Sequence, residues 1–292
     1  MTRAEDFRKL LAGKDIVVMP GCFSPLSAKL AERLGFKAAY ISGAALTAMR
    51  GLPDIELLTM TEMAELSGAI ALGTSMPCIA DADTGYGGVL SIQRTVHEYE
   101  RRGLAGLHLE DQLSPKRCGH LSGKRLCSPE EMVQRVVAAV DAKQQKDFLV
   151  IARTDARAVE GFDAAVERAK LYLKAGADAI FPEAMESKEE FGEFARKVKA
   201  PLLANMTEFG KSPLLSAAEL QALGYRMVIF PVTALRVALK AVEETYRELR
   251  EKGTQAALLP RMKTRQELYD IIGYASYEKK DAEIARRGDG HG

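Results

Sequence analysis

Tryptophan is missing from this 292-residue chain, and asparagine occurs once, at Asn205. Scarce asparagine beside plentiful Glu, Lys and Arg fits a protein exposed to heat, where side-chain amides are labile. It also marks Asn205 as a residue kept for a task. Excess charge is missing too. The net charge is +1, so no broad field of one sign invites nucleic acid or an anionic membrane surface. No apolar run approaches the length that spans a bilayer, and Met1-Thr2-Arg3-Ala4-Glu5-Asp6 lacks the apolar core of a secretion signal. The cysteines (Cys22, Cys78, Cys118 and Cys127) show no C-x-x-C spacing, which argues against a zinc site or a disulfide framework. The expectation is a reduced, cytoplasmic, soluble protein with no nucleic-acid or membrane partner.

What is present points to a large core, since 47% of residues are apolar and 28% charged. Short β-branched runs alternate with helical patterns. The expected strands are Ile16–Met19, Ala38–Ile41, Pro77–Asp81, Gly106–Glu110, Phe148–Arg153, Ala179–Pro182, Pro201–Asn205 and Met227–Pro231. Helical stretches include Ser91–Arg102, Pro129–Lys143, Gly161–Ala175 and Ser187–Val198, and glycines at 35, 103, 176 and 224 read as helix stops. Regular alternation of this kind predicts an α/β fold, a (β/α)8 TIM-type barrel, as a single domain over 1–292. A doubly wound sheet is disfavoured. Pro20-Gly21-Cys22-Phe23 follows the first strand where a G-x-G-x-x-G turn belongs. Beyond the barrel, Thr264–Ala285 reads as one more helix, striped by Leu268, Ile271, Ile272 and Ala275, which needs a partner on its own barrel or on another subunit. The tail Arg286–Gly292 reads as disordered.

In such barrels the C-terminal strand ends carry the chemistry, and here those ends are polar. Tyr40 and Ser42 end the second strand, Asp81 and Asp83 the third, and Glu110 the fourth. Arg153, Glu183, Asn205 with Thr207, and Arg236 follow in turn. Asp81, Asp83, Glu110 and Asp54 supply hard oxygens suited to Mg2+ or Mn2+, with only one or two binding directly and the rest holding waters. Arg153 and Arg236 suit the carboxylates of an anionic substrate, and Asn205, Thr207 and Ser212 can add hydrogen bonds. In the segment Lys116-Arg117-Cys118-Gly119-His120 a thiol stands among cationic residues, and its pKa is expected to fall towards neutrality. A metal, cations for distal carboxylates and a thiol proton donor together imply making or breaking a C–C bond next to a carboxylate.

These stretches resemble the isocitrate lyase/phosphoenolpyruvate mutase superfamily. The likeness runs from Lys14 to Tyr277. It is carried by Tyr40-Ile41-Ser42-Gly43-Ala44, Arg50-Gly51-Leu52-Pro53-Asp54, Asp81-Ala82-Asp83-Thr84-Gly85-Tyr86-Gly87 and the cysteine motif, and further by Ala152-Arg153-Thr154-Asp155-Ala156, residues Leu203 to Gly210, and Thr264-Arg265-Gln266-Glu267-Leu268-Tyr269. The resemblance implies Mg2+-dependent cleavage of a tricarboxylate, 2-methylisocitrate, into pyruvate and succinate, the closing step of the methylcitrate route for propionate. It implies Asp81 and Asp83 as metal ligands with Asp54 and Glu110 in the water shell, and Ser42, Gly43 and Ala44 around the nascent pyruvate. Cys118 would protonate the succinate carbanion, and Tyr40 is the candidate base for the hydroxyl. Gly119, Arg153, Glu183, Asn205, Thr207, Arg236 and Arg265 would contact substrate. A homo-oligomer is also implied, a tetramer in which the last helix is exchanged between subunits. The alternatives are another C–C lyase of the superfamily (dimethylmalate lyase, isocitrate lyase or oxaloacetate decarboxylase-like) or a phosphoenolpyruvate mutase-like isomerase. Leu113-Ser114-Pro115 and Leu121-Ser122-Gly123, on either side of the cysteine motif, also resemble those of dimethylmalate lyase-like and less specific oxo-acid enzymes.

Overall fold

The computed structural model describes residues 2–120 and 123–289. Leu121 and Ser122, and the last three residues of the expected tail, lie outside the described residues. Two compact units make up the chain, Met1–Leu235 and Arg236–Gly292.

In the first unit the helix α1 (Arg3–Ala12) precedes eight strands: β1 (Val17–Pro20), β2 (Ala39–Ile41), β3 (Cys78–Asp81), β4 (Gly106–Glu110), β5 (Leu149–Thr154), β6 (Ala179–Pro182), β7 (Leu203–Asn205) and β8 (Met227–Phe230). Between them run α2 (Pro25–Arg33), α3 (Gly43–Met49), α4 (Met60–Leu72), α5 (Val89–Arg101), α6 (Pro129–Asp141), α7 (Phe162–Lys174), α8 (Lys188–Lys197) and α9 (Ala217–Leu223). All pairings between these strands are parallel. One sheet runs β2-β3-β4-β5-β6 and the other β1-β8-β7. Single bridges, Gly21 to Tyr40 and Ile180 to Leu202, join the two into a ring. This is the expected (β/α)8 barrel, with every expected strand displaced by no more than two residues at either end.

Local chemistry sets the boundaries. At α6 the Ser128 hydroxyl accepts from Glu131 N–H (3.1 Å), Pro129 takes the first helical turn, and Glu130 and Glu131 face the positive helix end. Gly224 ends α9 in the left-handed region, at φ 100, where a side chain would clash. Alternation along the strands builds two apolar layers. One lies between strands and helices. The other fills the barrel, with Val17, Met19, Ile79, Leu149, Ile151, Phe181, Leu203, Met227 and Ile229. Phe7 of α1 belongs to that inner cluster, and Leu10 and Leu11 pack against it, so α1 closes the N-terminal end. The sequence reading did not foresee that helix.

The helix α10 (Thr233–Lys252) carries the chain across the boundary between the units, and a 3-10 turn at Ala256–Arg261 follows it. The expected single helix over 264–285 is two: α11 (Arg265–Ile272) and α12 (Tyr274–Asp289). Gly273 separates them at φ 74, its N–H bonded to Tyr269 O, because a left-handed residue ends the helical ladder. The tail expected to be irregular is helical through Asp289. Among the described residues of this second unit only Leu258 is a buried apolar residue, while Val237, Tyr246, Leu259, Leu268, Ile272, Tyr277 and Ile284 are exposed. Among the described residues no helix is long and apolar enough to cross a membrane.

Candidate active site

Side chains two apart on a strand share a face. That parity brings Tyr40, Asp81, His108, Glu110 and Arg153 to one end of the barrel, beside Asn205. Glu183 extends β6, its N–H bonded to Thr154 O at 3.0 Å. Asp81 is buried and accepts from Gly43 N–H at 3.1 Å and from Asp83 N–H at 3.0 Å. A β-carbon on Gly43 would stand 2.8 Å from Asp81 Oδ2, so glycine lets the start of α3 close on the acid. Ser42 caps that helix through Ala45 N–H (3.4 Å), and Ala44 follows half-buried. Asp83 itself sits at φ 45, a costly conformation for a residue with a side chain.

The cation among these acids is Lys116. Its ammonium pairs with Asp54 and lies 2.9 Å from Asp83 Oδ1. Burial nonetheless pushes the Asp83 carboxyl up to about 7, Lys116 offsetting part of this while Asp81 and Asp54 add to it. Burial also lifts Glu110 well above the carboxylate range, against the pull of Arg153. Asp83 Oδ1 and both Glu110 carboxylate oxygens are buried and meet no donor in hydrogen-bond geometry; Lys116 and Arg153 face Asp83 Oδ1 and Glu110 Oε2 as ion pairs alone. Among the described residues no group of three His, Cys, Asp or Glu forms a ready metal cage. Orphaned carboxylate oxygens without a closed cage suit a hard divalent cation that keeps most of its waters.

The Tyr40 hydroxyl and His108 Nε2 share a hydrogen bond at 2.7 Å, the two rings stacked 5.8 Å apart. Burial, then the Asp81 charge, holds the phenol well above its ordinary value. Burial pushes His108 down to about 4. A protonated phenol thus stands against a neutral imidazole, and Tyr40 can act as a base only by handing its proton on.

Arg153 departs from expectation. Its guanidinium is spent on carboxylates of its own chain: Nε to Asp155 Oδ2 at 2.9 Å, Nη2 to Asp155 Oδ1 at 3.2 Å, Glu110 at 3.2 Å and Glu183 at 3.4 Å. The two-toothed edge expected to grip substrate is held by Asp155. Asn205 donates to Glu183 (3.3 Å), and its own Oδ1 is buried without a partner. Thr207 and Ser212 lie half-buried past β7. Arg236, in α10, and Arg265, opening α11, are exposed residues of the second unit.

The cysteine segment is pinned by side chains from elsewhere. Gln112 clamps Arg117 at both N–H (3.0 Å) and carbonyl (2.8 Å). Lys124 donates to the Gly119 carbonyl and to Asp155 Oδ1 (2.6 Å), and Lys211 N–H donates to His120 Nδ1 at 3.0 Å. A β-carbon on Gly119 would lie 2.2 Å from Glu183 and 2.3 Å from Arg153. The expected fall in the Cys118 pKa is reversed: burial raises it, with Glu183 and Asp54 adding, against the His120 N–H. The flanking groups face away, the Lys116 ammonium to the acids and the His120 imidazole, held neutral by burial, to Glu183 (3.3 Å). Cys118 is therefore a thiol at neutral pH.

The sequence reading missed His108, Lys116 as the partner of the acids, Lys124 and Asp155. Parity carried a signal for two of them: His108 precedes Glu110 by two, and Asp155 follows Arg153 by two. Nothing local marks Lys116 or Lys124, whose acidic partners are distant in sequence.

Comparison with known proteins places these observations. Residues 7–250 match the family model described as phosphoenolpyruvate phosphomutase. The 2-methylisocitrate lyase of Aeropyrum pernix is 55% identical over 97% of this chain and 91% of its own. A crystal structure of 2,3-dimethylmalate lyase, described as a PEP mutase/isocitrate lyase superfamily member, superposes with TM-score 0.91 at 38% identity, covering 97% of this chain and 96% of that one. Phosphonopyruvate hydrolase in complex with oxalate and Mg2+ gives TM-score 0.88 at 32% identity, over 97% of this chain and 99% of that one. With its motifs, its barrel and these relatives in agreement, the chain belongs to the isocitrate lyase/phosphoenolpyruvate mutase superfamily.

Proposed function

We propose that this protein is a Mg2+-dependent carbon–carbon lyase that cleaves 2-methylisocitrate to pyruvate and succinate, the last step of the methylcitrate route. The observation that carries the reading is the seating of a protonated thiol on an acid cluster. Lys116, two residues before Cys118, contacts Asp54 and Asp83, and Gly119, the residue after it, packs on Glu183 and Arg153. Identity with the Aeropyrum pernix enzyme favours this substrate over 2,3-dimethylmalate.

Asp81 and Asp83 would hold the cation, with Asp54 and Glu110 on its waters. When bound, the cation draws negative charge off the 2-oxygen of the substrate. Tyr40 takes the hydroxyl proton as its own moves to His108 Nε2, 2.7 Å away. The C2 oxygen becomes a carbonyl, the C2–C3 bond breaks, and its electron pair stays on C3 beside the carboxylate. Cys118 gives its proton to C3, which completes succinate, and the thiolate regains a proton from the Tyr40–His108 pair or from water. A donor must begin protonated, and the raised thiol pKa meets that need. Ser42, Gly43 and Ala44 hold the pyruvate end. Glu183, Asn205 and Thr207 line the succinate end, with Arg153 shaping it through Glu183 and Gly119.

The reading includes a cytoplasmic homo-oligomer, a tetramer with the C-terminal helices exchanged. Its support is the set of exposed apolar side chains in the second unit, among them Val237, Tyr246, Leu259 and Tyr277, since extended apolar patches mark interaction sites. Proton NMR of the protein with Mg2+ and 2-methylisocitrate, isocitrate or 2,3-dimethylmalate in parallel tubes tests the activity. Pyruvate and succinate forming fastest from the first tube is the expected result. Silence there with turnover in another tube overturns the substrate and keeps the lyase; silence in all three overturns both.

A further inference from the structure

Glu56 lies in the turn after α3 and takes no part in the chemistry above. Its backbone is left-handed, at φ 59, a region that L residues with side chains avoid. The conformation aims its carboxylate at two other loops. Oε1 accepts from the Thr84 hydroxyl at 2.5 Å, one residue past Asp83, and Oε2 accepts from Lys116 N–H at 3.1 Å. The same turn presents Asp54 to the Lys116 ammonium. Lys116 is thus held at both ends, amide and ammonium, by residues two apart on one turn. Of the side chains that pin the cysteine segment, Gln112 comes from just before the segment and Lys124 from just after it. Glu56 ties that segment to the residue following Asp83, beside the direct Lys116–Asp83 pair.

We propose that Glu56 is a positioning residue that clamps the loop bearing Lys116 and Cys118 to the acid cluster through the Thr84 hydroxyl and the Lys116 amide, and so sets the thiol over the reacting carbon. The kinetic part of its test rests on the lyase reading; the chemical part does not. A glutamine at this position keeps an oxygen for Lys116 N–H and a donor for the Thr84 oxygen. Alanine removes both contacts and keeps the strained backbone. Glycine removes both and releases it.

Three variants, Glu56→Gln, Glu56→Ala and Glu56→Gly, are compared by kcat and KM with saturating Mg2+, by Tm, and by the rate of Cys118 alkylation with iodoacetamide read from peptide mass. Cys22, Cys78 and Cys127 are buried, so the reagent reports on Cys118. The expected result is a kcat about tenfold lower in the alanine and glycine variants with KM nearly unchanged, since sub-ångström displacement of a reacting group acts on kcat. Their Cys118 alkylation rates shift about threefold or more, the glycine variant melts no lower than the alanine one, and glutamine restores parental kcat and alkylation to within about threefold. Parental kcat and alkylation in the alanine and glycine variants overturn the proposal. So does a Tm that falls in step with kcat in all three variants at an unchanged alkylation rate, which marks a merely structural role. If the parent protein does not turn over 2-methylisocitrate, the lyase reading fails and alkylation alone decides the role of Glu56.

Discussion

The inside of the barrel has two ends built from the same strands. On β5 the inward positions run Leu149, Ile151, Arg153; on β6 Ala179, Phe181 and then Glu183; on β3 Ile79 and then Asp81. At the lower end these side chains pack on one another and on Phe7 of α1, each contributing about 1.5–3 kcal/mol through burial. At the upper end six carboxylates (Asp54, Asp81, Asp83, Glu110, Asp155, Glu183) face three cations, Lys116, Lys124 and Arg153. Buried charge in excess opposes folding, so the lower end supplies stability that the upper end spends on chemistry. A step of two residues along a strand separates the two roles.

Truncating the plug sharpens that division. Phe7→Ala is expected to cost about 3–5 kcal/mol of stability, read by denaturant unfolding, while kcat of the folded fraction stays at the parental value. A matching loss of kcat would mean that the lower layer also shapes the site. Cys118→Ser should do the opposite: turnover falls at least about a hundredfold, or about 2.7 kcal/mol, because serine is a much weaker acid. Its unfolding midpoint should not move; near-normal turnover would remove the thiol from the mechanism. The third effect is smaller. Proton and cation compete for Asp83, whose carboxyl titrates at about 7 in the metal-free protein. Mg2+ affinity should therefore be level above neutrality and weaken by up to about tenfold per pH unit below it. Calorimetric titrations at pH 6 and 8 check the sign, and equal affinities at the two values would place the cation away from Asp83.

Much of this arrangement could be read before any coordinates. The eight strands were legible because β-branched runs and helix stops are local signals, and the polar strand ends were legible because strand parity is local too. What failed was pairing at a distance. Lys116 and His120 stand beside Cys118 in sequence, and were expected to lower its pKa. In space they turn to Asp54, Asp83 and Glu183, and leave the thiol to its burial. Arg153 was expected to reach for substrate, but Asp155, two residues on, already holds its edge. The helix α1 went unseen because its task, closing the barrel, shows only once the barrel exists. Gly273 was passed over as a lone glycine inside a periodic stretch, although its left-handed φ divides that stretch in two.

Gly119 acts as a depth gauge. Ordinary carbon contacts are about 3.5–4.0 Å, whereas a methyl at this position would meet Glu183 at 2.2 Å. A side chain there drives either the segment outward or the buried ends of Glu183 and Arg153 aside, and each shift disturbs the seat of the sulfur next to it. How far the thiol reaches into the barrel is therefore tied to a carbon the chain leaves out, one residue away from the atom that does the work.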